Sequence, residues 1–265
     1  MMRFFIEGVG LIGPGLDNWS ASRAVLAGDA PYSSTPINMR TLDMLPAAER
    51  RRAGVPIKLA LAVAQEAFTQ AGRDTKTTAT VFTSSDGDCD NVHAINTILA
   101  TTPLEMSPTR FHNSVHNAAA GYWCIAAESR EPSTSLCAHD ASFAAGLLES
   151  ATQVTVDNAV VALVAYDHPY PEIMHSARPI LSALGMALIL TPQQSARSIA
   201  SIEMDFVSGK TAETKMQDAG LEALRHGVPA ARGLPLLAAL ASGKSTQISL
   251  AYFDDNHLNI RVTPC

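Results

Sequence analysis

The chain has 265 residues and a net charge of −6, with 47% hydrophobic and 17% charged residues. That composition excludes disorder as the dominant state, which needs low hydrophobicity and high charge. An acidic balance without a basic patch argues against nucleic-acid binding, and no apolar run approaches the roughly 20 residues of a membrane-spanning helix.

The opening residues, MMRFFIEG, carry too short an apolar core for a secretory signal. Residues 3–12 (RFFIEGVGLI) predict a strand running into a glycine turn. Asp17 is placed to cap a short helix through Ala27, closed by Gly28. Residues 29–45, rich in Pro, Ser and Thr, predict a loop; the Ala- and Leu-rich stretch 47–72 predicts a helix stopped by Gly72. A short strand follows at 78–84, then the polar turn SSDGDCD and a helix at 91–100. A loop with Pro103 and Pro108 leads to an alanine-rich helix from about 114 to 127. Next come a strand at 133–138, a helix at 140–153 with Asp140 at its start, and a buried strand at 158–166. Two strands (184–190, 199–207), two helices (near 213–226 and 233–241) and a closing strand pair (246–253, 257–262) complete the chain. Strands alternating with helices up to residue 166 predict an α/β fold: a mixed, mostly parallel sheet covered by helices, with short antiparallel strands at the C-terminal end. No linker is long enough to force a boundary, so residues 1–265 are expected to form a single domain.

Gly8-Val9-Gly10-Leu11-Ile12-Gly13 fits the G-x-G-x-x-G pattern that cradles a dinucleotide pyrophosphate. The context opposes that reading. The third glycine is followed by Pro14-Gly15 where a helix should have begun, and Asp17 would repel a phosphate. A glycine-rich strand exit is the preferred reading, and no cofactor is expected.

Four cysteines (Cys89, Cys124, Cys137, Cys265) form no C-x-x-C pair and no Cys/His cluster. Reduced thiols in a cytoplasmic protein are expected, with Cys124 and Cys137 as buried small hydrophobes. His112 and His116 share one face if both are helical, but no third metal ligand accompanies them; hydrogen bonding at a helix start is the reading adopted, and no metal is expected. Ser114 and His116, two apart, do not face each other as nucleophile and base would. Asp86, Asp88 and Asp90 lack the glycine position and distant Glu of a calcium loop, and read as a turn and helix cap.

Two segments hold the chemistry: SPTRFHNSVHNAAAGYWCIA (107–126) and STSLCAHDASFAAGLLESA (133–151). The second has the form strand, tight turn, helix, which lifts a side chain to a helix N-terminus where a nucleophile or anion is stabilised. His139 could act as a base there with Asp140 orienting it; the reading adopted is Asp140 as an N-cap or first-turn carboxylate of the helix through Gln153.

At these residues the chain resembles the N-terminal half of a β-ketoacyl synthase of the thiolase superfamily. Ile6–Gly15 is similar to the family's first strand, and Asn117-Ala118-Ala119-Ala120-Gly121 to its Asn and Ala-Gly helix. Glu131-Pro132 opens the run that ends at the family's acyl-accepting cysteine, and residues 183–190 (ALGMALIL) are similar to a later family strand. The resemblance covers about residues 3–207. Counting from either side puts the nucleophile position at His139 or Asp140, and Cys137 falls two or three positions early. The family's two catalytic histidines belong to a C-terminal half that this chain largely lacks.

The resemblance therefore implies a catalytically silent, chain-length-factor-like subunit, similar to the small ketosynthase-like subunits of bacterial aryl polyene clusters. It would pair with an active β-ketoacyl synthase and help shape its acyl tunnel. Phosphopantetheine would enter only on an acyl carrier protein, by way of the partner. Residues 133–137 would form the interface strand and 114–127 a tunnel-wall helix. Phe111, His112, Ser114, His116, Asn117, Tyr122, Trp123, Cys137 and Phe143 would lie in tunnel or interface, with Phe111, Tyr122, Trp123 and Phe143 as candidate stops for chain growth. Two other readings stand beside it: an independent acyltransferase or hydrolase using Cys137 or His139, and a homodimeric acyl-binding protein. The arginines of Glu49-Arg50-Arg51-Arg52 read as a solvated face, or as a rim for an acidic carrier protein.

Overall fold

The computed structural model describes residues 1–39, 42–101, 105–209 and 211–265; the loop expected at Pro103 lies outside them. Among the described residues eight strands form one sheet: β1 (Met2–Ile12), β2 (Ala79–Thr83), β3 (Ser133–Leu136), β4 (Val161–Asp167), β5 (Leu184–Thr191), β6 (Ala200–Ser208), β7 (Thr246–Ala251) and β8 (Asn256–Pro264). Their order is β3-β2-β4-β5-β1-β6-β8-β7. The helices are α1 (Trp19–Ala27), α2 (Ala47–Arg52), α3 (Val55–Ala71), α4 (Cys89–Thr101), α5 (Pro108–His112), α6 (Ala118–Ala127), α7 (Ser142–Val156), α8 (Glu172–His175), α9 (Ala219–Gly227) and α10 (Leu234–Ser242).

The expected mostly parallel sheet is overturned. Only the pairs β2–β3 and β2–β4 are parallel; β4–β5, β5–β1, β1–β6, β6–β8 and β8–β7 are antiparallel. The reason lies in strand insertion. By these pairings β1, β2, β3 and β4 all run one way, as strands separated by crossover helices do. β5, however, returns antiparallel between β4 and β1 and separates them. The C-terminal strands then extend the sheet antiparallel, with β8 inserted between β6 and β7.

Each face of the sheet carries its own apolar core. Ile12, Phe82, Val164 and Ile189 meet α3 and α6 on one face; Val9, Leu11, Val81 and Leu163 meet α1, α7 and α10 on the other. The register of β1 shifts between Ile6 and Gly8, a bulge that changes which face its odd and even positions address. Phe4 and Ile6 therefore share a face with Val9 and Leu11. Gly8 and Gly10 point instead at α3. A Cβ on Gly10 would lie 1.9 Å from the Val63 carbonyl oxygen, and one on Gly8 would lie 2.2 Å from that of Ala67. The apparent nucleotide fingerprint is thus a close helix–strand contact. Along the same edge α3 supplies acceptors to β1: Val9 N–H donates to Gln70 Oε1 (2.7 Å) and Leu11 N–H to Glu66 Oε2 (3.1 Å).

Local corrections follow from capping chemistry. Asn18, not Asp17, caps α1, accepting from Ala21 N–H at 2.9 Å. The expected helix over 47–72 splits into α2 and α3 at Ala53-Gly54, and Pro56 sits in the first turn of α3, where its missing N–H costs nothing. The helix expected from residue 114 begins only at Ala118, because the Asn- and Ser-rich residues 113–117 favour turns.

Candidate functional site

Three parallel strands, β2, β3 and β4, end side by side, and their C-terminal ends bring the chemistry together. Such ends are where sites form in α/β sheets. β2 leads into Ser84-Ser85, β3 into Cys137–Asp140, and β4 finishes on Asp167. The turn after β3 is sharp. A 3-10 turn at His139–Ala141 runs straight into α7. Ser142 Oγ fastens it, accepting from Ala138 N–H at 3.0 Å and donating to the His139 carbonyl at 2.7 Å. His139 has φ +52°, the left-handed region that side chains other than glycine enter at a cost of roughly 1–2 kcal/mol. Its imidazole is 67% exposed.

Cys137 lies beyond the end of β3 and is exposed, correcting its expected burial. Its thiol donates to the Ser85 carbonyl at 2.8 Å. Asp140 does not cap α7: the cap residue is Ala141, without a side-chain bond. The Asp140 carboxylate instead meets Arg178 at 2.8 Å and Arg232 at 3.9 Å, with His139 Nδ1 at 3.8 Å. Burial alone would raise its pKa, but the Arg178 hydrogen bond and the Arg178 and Arg232 charges more than offset that and hold it below the usual carboxylate range.

Asp167 has no solvent exposure. Oδ1 accepts from Ser85 N–H (2.8 Å), Ser85 Oγ (2.7 Å) and Ser84 Oγ (3.3 Å); Oδ2 accepts from Ala230 N–H (2.6 Å). Burial pushes its pKa up to about 7, while the hydrogen bonds from Ser85 and Ala230 pull the other way. Sequence reasoning passed over Ser84, Ser85, Asp167 and Arg178. A carboxylate closing the otherwise apolar strand VALVAYD was the one available signal. Arg178, in the β4–β5 link, had none.

The 107–126 segment splits by role. Asn113, buried, joins Arg52 O (2.9 Å) to the Tyr122 hydroxyl (3.1 Å). His112 ends α5 and packs edge-on to Tyr122 at 6.1 Å, and Ser114 Oγ donates to the Phe111 carbonyl. His116 sits in the following turn with Nε2 3.4 Å from the Ser84 carbonyl. The two histidines therefore share no helix face. Exposed Asn117 precedes α6 without a capping bond. Tyr122 and Trp123 are buried against α3, with Trp123 stacked on Phe68 at 5.1 Å. Phe143 is buried on the opposite face of the sheet, while Phe111 is 66% exposed. The four candidate stops thus do not converge on one point. β3 is an edge strand, and beside it α6 turns Gly121 and half-exposed Ile125 outward. A groove of about 540 Å³ lies between the N-terminus of α3 and α5, lined by Arg51, Arg52 and Arg110 with Asp88 and Asp90.

A strand–elbow–helix unit at the end of such a helix-covered sheet is the architecture of thiolase-like proteins. The chain belongs to the β-ketoacyl synthase N-terminal domain family, whose model matches residues 17–252. No curated protein sequence matches it significantly. Among solved structures it is similar to a ketosynthase in complex with its chain length factor from Xenorhabdus doucetiae (22% identity, 98% of this chain and 100% of that one, TM-score 0.74). It is also similar to a structure of a type II polyketide acyl carrier protein with its hexaketide-bound ketosynthase (10% identity, 100% and 99%, TM-score 0.77). A β-ketoacyl synthase from Burkholderia phymatum matches at 13% identity over all of both chains, with TM-score 0.68. At these identities the likeness is one of fold.

Proposed function

We propose that this chain is a catalytically silent, chain-length-factor-like subunit that pairs with an active β-ketoacyl synthase in polyketide-type biosynthesis of the aryl polyene kind. The observation that carries the reading is the elbow. The residue held at its left-handed apex is His139, and the nearest thiol, Cys137, lies before the turn and is committed to the Ser85 carbonyl. A ketosynthase needs a thiolate at the helix N-terminus as acyl acceptor; here that place holds an imidazole and a carboxylate. One similar structure is itself a ketosynthase with its chain length factor, which supports the pairing.

The unpaired edge of β3 and the small-residue face of α6 at Gly121 form the surface offered to that partner. An open strand edge is a template for pairing. The Arg51–Arg52–Arg110 groove suits an acidic acyl carrier protein, whose phosphopantetheine would serve the partner's cysteine. The exposure of Cys137 favours one competing reading, an acyltransferase or hydrolase acting through Cys137 or His139.

Co-expression with an active ketosynthase, followed by light scattering and a carrier-protein condensation assay, decides between them. The paired-subunit reading expects a 1:1 complex whose activity survives His139→Ala with Cys137→Ala. Loss of activity in an intact complex would establish chemistry at the elbow instead.

A further inference from the structure

Around Asp140 the pocket is richer in donors than the one carboxylate uses. Arg178 and Arg232, only 22% and 20% exposed, bracket it from two different segments. The N-terminus of the 15-residue helix α7 follows, with no side-chain acceptor on its cap. Next to Asp140 lies a cavity of about 60 Å³, lined also by Arg225, Arg232, Glu213 and Ser249. Ser249 is 8% exposed and, among the described residues, its hydroxyl has no hydrogen-bond partner; the buried Nε–H of Arg232 has none among them either. Glu213 cannot serve them freely, because Arg225 holds it at 3.0 Å and Arg232 at 3.7 Å. Arg225 in turn bridges Glu213 and Glu222, the latter at 2.7 Å, so its own charge is already matched by two carboxylates.

We propose that the elbow is an anion-binding pocket that the protein fills with its own Asp140 carboxylate, and that a small carboxylate ligand takes this place when Asp140 is removed. Two guanidiniums and a helix N-terminus are the elements that stabilise a transition-state oxyanion in an acyl-transfer site. Here the Asp140 carboxylate pairs with the two guanidiniums in the ground state. The pocket is therefore blocked as well as lacking its nucleophile. This goes beyond the pairing with a ketosynthase and needs no partner to be tested.

The test is a thermal-unfolding titration of full-length Asp140→Ala with sodium formate, against sodium chloride at equal ionic strength. Formate is expected to raise the Tm of Asp140→Ala by a few degrees, saturably, through binding to the folded state. Wild type and the double variant Asp140→Ala/Arg178→Gln are expected not to respond. Asp140→Ser, which keeps a polar side chain in the turn, is carried through as a second variant in case the alanine chain folds poorly. Recovery of folding by formate but not chloride supports the proposal. Indifference of both variants to formate, or an equal response from wild type, overturns it.

Discussion

Asp167 and Glu7 are both buried carboxylates, and their partners give them opposite pH signatures. Among the described residues no cation pairs with Asp167, and burial raises its pKa to about 7, above the unfolded value. A group raised on folding contributes stability that is complete below its unfolded pKa and is lost as pH rises through its folded one. Stability is therefore expected to fall between about pH 4 and pH 7 by a few kcal/mol at most. Asp167→Asn, followed by urea unfolding across that range, is expected to remove this dependence. Glu7 sits at the β1 bulge, where burial raises its pKa. The Arg73 bond at 2.6 Å, the Ser195 hydroxyl and the Arg197 charge more than offset this and hold it low. Its contribution is present at neutral pH and lost on acidification, so Glu7→Gln is expected to flatten the acid limb of the same profile. Glycines separate just as sharply. Gly10→Ala would drive a methyl into the α3 backbone and is expected to cost at least the ~1–3 kcal/mol of an overpacked core. Gly121→Ala meets no atom within 4 Å and is expected to stabilise the isolated chain by up to about 1 kcal/mol, both read by denaturant midpoints.

At the scale of elements, α3 does more than cover the sheet. Beyond Ile6, β1 pairs only with β5, and side chains of α3 take the N–H groups left over on the other side. Glu66 accepts from Leu11 N–H and from Trp19 N–H (2.7 Å), tying β1 and α1 to one carboxylate. Glu66→Ala strands those donors at roughly 1–3 kcal/mol each. Glu66→Gln, which keeps one carbonyl oxygen, is expected to lose less; equal losses on urea unfolding would show that the helix holds β1 by apolar contact alone. The spacing of α3 and its stop at Gly72 were legible because hydrophobic periodicity and a left-handed C-cap are local signals. The late start of α6 was legible only in part: the Asn- and Ser-rich residues 113–117 favour turns, but the bonds of Asn113 to Arg52 and Tyr122 that hold this turn exist only once the chain has folded.

Over the whole molecule, segments at the ends of β3 and β7, strands at opposite ends of the sheet order, come together behind the elbow. Asp140, beyond edge strand β3, and the end of β7, the opposite edge, line the same small cavity. The C-terminal hairpin thereby buttresses the elbow from behind. The outer edge of β3 and the adjoining face of α6 stay uncovered. Gly121→Trp is expected to leave the Tm of the isolated chain within a few degrees of wild type and to abolish co-purification with an active ketosynthase. Retained 1:1 association would move the partner surface elsewhere. Reversal of Arg51, Arg52 and Arg110 to Glu is expected to weaken carrier-protein binding without breaking that complex, measured by titration at low salt where charge attraction is strongest.

While the short helices α5 and α8 and the break between α2 and α3 escaped it, the sequence by itself determined the strands and the longer helices among the described residues, the turn between β3 and α7, and the imidazole and carboxylate at its apex. These are local: period, cap, turn residue and the order of side chains along a few turns of chain. Tertiary structure decided what depends on which distant segments meet. β5 is inserted between β4 and β1, which no local pattern encodes, because strand order is set by how helices pack across both faces. Asp140 turned from a presumed helix cap into an ion-paired group because Arg178 and Arg232, 38 and 92 positions along the chain, close over it. Asp167 became a hub for the same reason, through Ser85 and Ala230, partners brought to it only by the packing of the ends of β2 and β4 against the turn before α10.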